Sequence, residues 1–209
     1  MNKYKYTLII ILLVLNSGCS SIIKKKKDIN LTIENFNMTQ FTQEGEKLYS
    51  ITSPKSTYIN EELKYKLDKT YIRFFDDNQL QYTINSNNST VLHNSQFINL
   101  SGNVNLIDTS NERNKIYSNN AYWDVNNSEF ILEGDVKLKN NFVDLKSSKA
   151  FLDKKTNIIK FFKPVKYKYN ESDSPTKFNV SSDNAFYDLT NKSLLFKSVT
   201  ERIKSKITF

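Results

Sequence analysis

The 209-residue chain is poor in the residues that build catalytic and metal centres. It has one cysteine, Cys19, and one histidine, His93. These two cannot supply the four ligands of a Cys/His metal cage, and a lone thiol builds no disulfide framework. Four glycines that never cluster leave no glycine-cradled phosphate loop. His93 stands in a polar stretch with no nucleophile or base at triad spacing, so it reads as a surface imidazole. No metal, no cofactor and no catalysis are expected. The length itself suits one ordinary domain, or two small ones, with a real core.

Arginine is the next scarcity. The formal charge is +8, yet of thirty basic residues only Arg73, Arg113 and Arg202 are arginine. Reading of nucleic-acid sequence favours the planar bidentate fork of Arg over the solvated point charge of Lys. Lysine and asparagine number 27 each, a pattern that resembles the codon bias of an AT-rich genome. The basic balance describes a soluble surface that tolerates anionic neighbours, and nucleic acid is not expected as a partner.

Long apolar runs are confined to the N-terminus. Lys3 and Lys5 precede the run Leu8 to Leu15, and Ser17 and Gly18 then lead to Cys19. A positive start, a short apolar stretch and a small-residue exit mark an export signal. Eight apolar residues are too few to span a bilayer, which takes about 20. The string Leu15-Asn16-Ser17-Gly18-Cys19 resembles a bacterial lipobox, departing at Asn16, and implies a lipid on Cys19. An uncleaved signal anchor is the alternative. Either way the chain is expected outside the cytoplasm and held at a membrane. Residues 1–18 then form the signal, 19–29 a tether carrying Lys24 to Lys27, and 30–209 the folded domain.

What the sequence does have is repetition. Ala121-Tyr122-Trp123-Asp124, Ala150-Phe151-Leu152-Asp153 and Ala185-Phe186-Tyr187-Asp188 read alike. Each follows a serine-rich cluster and leads into an Asn-containing turn. Weaker copies stand at Ser56-Thr57-Tyr58 and Ser89-Thr90-Val91. Steps between Thr57, Thr90, Ala121, Ala150 and Ala185 are 33, 31, 29 and 35 residues, a period near 32.

Between the copies lie alternating segments. Leu100, Gly102, Val104 and Leu106 share one face, as do Leu132, Gly134, Val136 and Leu138. Phe161, Lys163, Val165 and Tyr167 form a less regular third set. Period-two alternation marks antiparallel strands with one face buried. Breaks such as Asn126-Asn127 and Asn140-Asn141 supply the hairpin turns. The chain is therefore all-β, built from tandem antiparallel hairpin repeats. Its apolar face is buried either by a sheet folded over itself or by stacked solenoid turns. Pro164 marks an edge or a bulge.

Gly102-Asn103-Val104 and Gly134-Asp135-Val136, each with a Ser…Ala-aromatic-x-Asp stretch, resemble the LptC/LptA (OstA-like) repeat of lipopolysaccharide transport. The run Phe41 to Ile51 with Ser56-Thr57-Tyr58 looks like the first such repeat, and the likeness covers about residues 30 to 200. It implies a twisted β-jelly-roll open along one side. It also implies that the roll takes lipopolysaccharide from an inner-membrane ABC transporter of the LptBFG type and passes it to a periplasmic LptA-like bridge. The implied site is an apolar trough of Leu100, Val104, Leu106, Leu132, Val136, Leu138, Phe161, Val165 and Tyr167. Relatives of the LptC type commonly carry an anchor helix, whereas this chain shows the lipobox-like end at Cys19. The inner membrane is the expected place.

Other readings stay open. Any one apolar face residue is also simply core, and a structural or adhesive β-repeat lipoprotein would have all of them covered. A soluble LptA-type bridge is a third possibility, against which the N-terminus argues. Asp124, Asp153 and Asp188 share a repeat position before a turn, where Asp bonds local backbone rather than metal or substrate. Residues Ile203 to Phe209 alternate again, as an edge strand that docks a partner or as a lysine-protected edge.

Overall fold

The computed structural model describes residues 30–92, 96–109, 114–141, 143–169, 178–198 and 206–208. The signal, Cys19, the lysine tether and His93 lie outside them. The described residues form twelve strands and no helix: β1 (Leu31–Phe41), β2 (Lys47–Ile59), β3 (Lys64–Asp76), β4 (Gln79–Leu92), β5 (Phe97–Asp108), β6 (Lys115–Asp124), β7 (Glu129–Lys139), β8 (Asp144–Asp153), β9 (Ile158–Tyr169), β10 (Phe178–Asp188), β11 (Ser193–Lys197) and β12 (Lys206–Thr208). They make one sheet in strict sequence order, every pair antiparallel. A meander of this kind excludes the solenoid.

The register explains the repeat. One inward row runs Ser56, Leu67, Ser89, Leu100, Ala121, Leu132, Ala150, Phe161, Ala185, Phe196, each directly opposite the next. Small side chains on even strands thus alternate with large ones on odd strands. The first two copies of the motif are therefore Ser56 and Ser89, not Thr57 and Thr90. Ser56 and Ser89 are buried while both threonines are half-buried on the outer face. A slip of one residue moves a side chain through the sheet, which is why sequence patterning places these two copies one residue off.

The serine that precedes each copy has its own task. Ser53, Ser86, Ser118, Ser147 and Ser182 each donate from Oγ to the carbonyl oxygen two residues on, at 2.6–3.0 Å. All five are buried. At this level the ladder slips on every pair from β4–β5 to β9–β10, as between Glu133 and Val136. Opposite sit the left-handed pairs Gly102-Asn103 and Gly134-Asp135, with φ of 74° and 51°, and 76° and 52°. The bulges bend β4 to β10 at one height, and the serines satisfy backbone that the ladder gives up. Pro164 lies in this zone on β9, between slips on both sides, after a cis Lys163–Pro164 peptide. The third copy bends there without glycine.

Glycine is needed for two reasons at Gly134. Its φ is left-handed, and an added Cβ would stand 2.9 Å from Asn119 Nδ2. Gly134→Ala is expected to cost about 1–3 kcal/mol, read as a lower urea midpoint at unchanged slope. Adding Asn119→Ala relieves the contact but not the backbone, so it restores part of the loss. A fully neutral Gly134→Ala would contradict this account.

Bending and twist turn the sheet back on itself. Trp123 on β6 meets Tyr49 on β2 and Phe74 on β3, with ring centroids 5.2 and 5.5 Å apart. Tyr49 lies at the start of its strand and Trp123 at the end of its own. Twist of about 20–25° per strand accumulates to roughly a right angle over four strands, which brings opposite ends together. The buried core is one continuous cluster from Phe36 to Phe196.

Candidate functional site

The nine residues expected to line a trough lie on three inward rows of three strands. Leu100, Leu132 and Phe161 occupy the small–large row. Val104, Val136 and Val165 face the bulge serines Ser118, Ser147 and Ser182. Leu106, Leu138 and Tyr167 belong to a row that continues through Ile51, Ile72, Ile84, Ile116 and Leu145. The strands that carry them are β5, β7 and β9. All nine are at most 2% exposed. The interior is thus one apolar surface, filled in this structure by the protein's own side chains.

Sequence reasoning missed the residues that join the two halves. Tyr49, Phe74 and Trp123 form an aromatic seam across the roll, and nothing in period-two patterning tells which rows will face each other. A polar seam closes one end. Lys154, in the β8–β9 turn, donates to Tyr82 Oη on β4 at 2.9 Å and to Asn157 Oδ1 at 2.7 Å. Its ammonium also lies 4.2 Å from the Tyr82 ring centroid. Nearby, Asn140 Nδ2 donates to Asn114 Oδ1 and to Tyr187 Oη, and Asn114 donates to buried Asp108. A cavity of about 520 Å³ opens between Asp76, Tyr82, Asp108, Lys154 and Lys192.

Burial shifts these groups. It pushes the Tyr82 phenol well above its ordinary range, with the Asp108 carboxylate adding to the effect. Tyr187 rises for the same reason, against the hydrogen bond from Asn140. Both phenols hold protons in the folded chain that the unfolded chain releases above pH 10. Their stabilisation is full below pH 10 and is lost as pH rises beyond it. Burial lowers Lys154, opposed by Asp108, so this group favours folding as pH rises towards its ordinary 10.5. The melting temperature is expected to hold near neutrality and fall above pH 10, with a shallower fall in Tyr82→Phe. An equally steep fall in that variant would remove Tyr82 from the cause.

The repeated aspartates are turn-builders in the structure. Asp124 accepts from the backbone and side chain of Asn127, Asp153 from Lys155 and Thr156, and Asp188 from Thr190 and Asn191. Burial raises the Asp153 carboxyl, but the Thr156 hydroxyl and two backbone N–H groups together hold it below the usual range. Among the described residues no cluster of His, Cys, Asp and Glu is placed to hold a metal. No helix there is long and apolar enough to cross a membrane.

These features define a class: an all-antiparallel, single-sheet β-roll with a continuous apolar interior and two edge strands, β1 and β12, that pair on one side only. A family model described as lipopolysaccharide-assembly, LptC-related, matches residues 6–170, and the chain belongs to that family. Its role accordingly lies in lipopolysaccharide transport. A comparison with curated proteins gives no match. Among solved structures, the chain is similar to LptH of Pseudomonas aeruginosa, the LptA homologous periplasmic component of the conserved lipopolysaccharide transport device. Identity is 10% and the TM-score 0.46, over 63% of this chain and 93% of that one.

Proposed function

We propose that the chain is a membrane-anchored periplasmic component of lipopolysaccharide export. It receives lipopolysaccharide from an inner-membrane ABC transporter of the LptBFG type, holds the acyl chains between the halves of the roll, and passes the lipid to an LptA-like bridge. The observation that carries this is the interior: one inward apolar row, from Ile51 to Val180, runs without interruption across β2 to β10. Acyl chains would gain about 25 cal/mol for each Å² taken from water against such a wall. Entry requires the halves to part, since the rows are filled. No chemistry is needed, and direction comes from the transporter's ATP cycle. The edges suit relay by strand addition. Leu31 and Phe41, at the two ends of β1, are 55% and 52% exposed.

In-cell photocrosslinking tests this reading. A probe at Leu132 or Val136, inside, is expected to capture lipopolysaccharide and to lose the adduct when ATP is depleted. A probe at Lys137, on the outer face, is expected to stay silent. Silence at both faces in a folded, exported protein would leave a closed core and a structural lipoprotein.

A further inference from the structure

The outer face of the roll is not uniform. On β2 to β4 Lys66 lies between Thr57 and Thr90, and Arg73 between Ser50 and Thr83. On β7 to β9 lysine faces lysine. Lys137, Lys146 and Lys166 are directly opposite one another on three successive strands. One position further along, Lys115 faces Lys139, and Asp144 stands on β8 directly between Lys139 and Lys168. Directly opposed like charges oppose sheet pairing. Only Lys137 is neutralised by an ion pair, to Asp135; Lys115, Lys139, Lys146, Lys166 and Lys168 form none among the described residues. A lysine-rich composition supplies lysines everywhere but does not align them.

A second row lies further along the same face, beyond the bulge and the row of Glu133, Lys149 and Phe162. Tyr122, Ile131, Phe151, Lys160, Phe186 and Leu195 are successive cross-strand neighbours from β6 to β11. All six are half-buried, not covered. A mostly apolar, aromatic belt on the same face as a cationic ladder suits a bilayer surface, with rings at the acyl boundary and ammonium groups on phosphates.

The geometry points to this face, the outer side of β6 to β11, as a docking surface for an anionic phospholipid bilayer. The inference rests on the anchored reading for its reach. Only residues 20–30 separate the lipid-bearing Cys19 of that reading from β1, a span of at most roughly 40 Å when extended. A domain held that close meets the head groups constantly, and charge then selects the face presented. Docking by the outer face leaves β1 and β12 free to pair with other strands. Each ladder lysine is worth roughly a fivefold change in partition onto an anionic surface.

The test uses the full chain mixed with vesicles of phosphatidylcholine alone or with phosphatidylglycerol added. Flotation with the neutral vesicles reports the anchor. Lysine acetylation, read by mass spectrometry, reports docking. Lys146 and Lys166 are expected to react several-fold more slowly on the anionic vesicles, with Lys66 and Lys69 unchanged and protection lost at high salt. Lys146→Glu with Lys166→Glu should abolish the protection of Lys139 and Lys168. If the chain floats with neither vesicle unless phosphatidylglycerol is present, the anchor fails and docking stands. Equal acetylation on both vesicles overturns the docking, and so does protection that appears only when an acidic protein is added.

Discussion

Trp123→Ala is expected to lower the stability of the roll by about 3–5 kcal/mol, a large share of the 5–15 kcal/mol typical of a folded chain. Trp123 is fully buried and touches three other rings. It stacks on Phe130 at 5.1 Å and meets Tyr49 and Phe74 of the opposite half edge-on. The loss therefore combines the transfer of a large ring with a cavity at the crossing of the two halves, where the sheet has the least freedom to collapse. Urea unfolding followed by circular dichroism measures it, since the only tryptophan is gone. A loss below about 1 kcal/mol would mean that the halves are not held together there. Trp123→Phe keeps the edge contacts and should retain most of the stability.

The second large effect concerns the small–large row. Phe161→Ala should cost about 3–5 kcal/mol, because Phe161 is fully buried between Ala150 and Ala185. Ala150→Leu alone should cost about 1–3 kcal/mol by overpacking, since its neighbours Leu132 and Phe161 already fill the row. The double variant refills the space from the next strand. It should be more stable than the sum of the two losses by about 0.5–3 kcal/mol. Guanidinium unfolding of the four proteins closes the cycle, and strict additivity would show that the two positions do not share space.

Much of this architecture is legible in the sequence. Alternation at Leu132, Val136 and Leu138 marks the strands and their inward face, because burial on one side of a pleated strand leaves a period of two. Repetition marks the order of the hairpins, and the Gly-Asn-Val and Ser…Ala-aromatic-x-Asp patterns carry the family likeness. The aspartates are readable as turn residues because their partners are two or three positions away. All nine residues expected to line a trough are buried on the inner face of β5, β7 and β9. The role of the serines shows in the sequence only as a coincidence of position, since a bulge is a property of two strands rather than one.

What local sequence determined, then, is everything fixed by neighbours along the chain: strand, turn, face and repeat. The tertiary structure alone decided the one-residue register of Ser56 and Ser89, the meeting of Trp123 with Tyr49 and Phe74, the Lys154–Tyr82 contact, and the alignment of lysines on β7 to β9. Those depend on cross-strand pairing and on twist summed over several strands. Neither is encoded at any single position, because each strand's contribution is small and only their accumulation brings distant rows together.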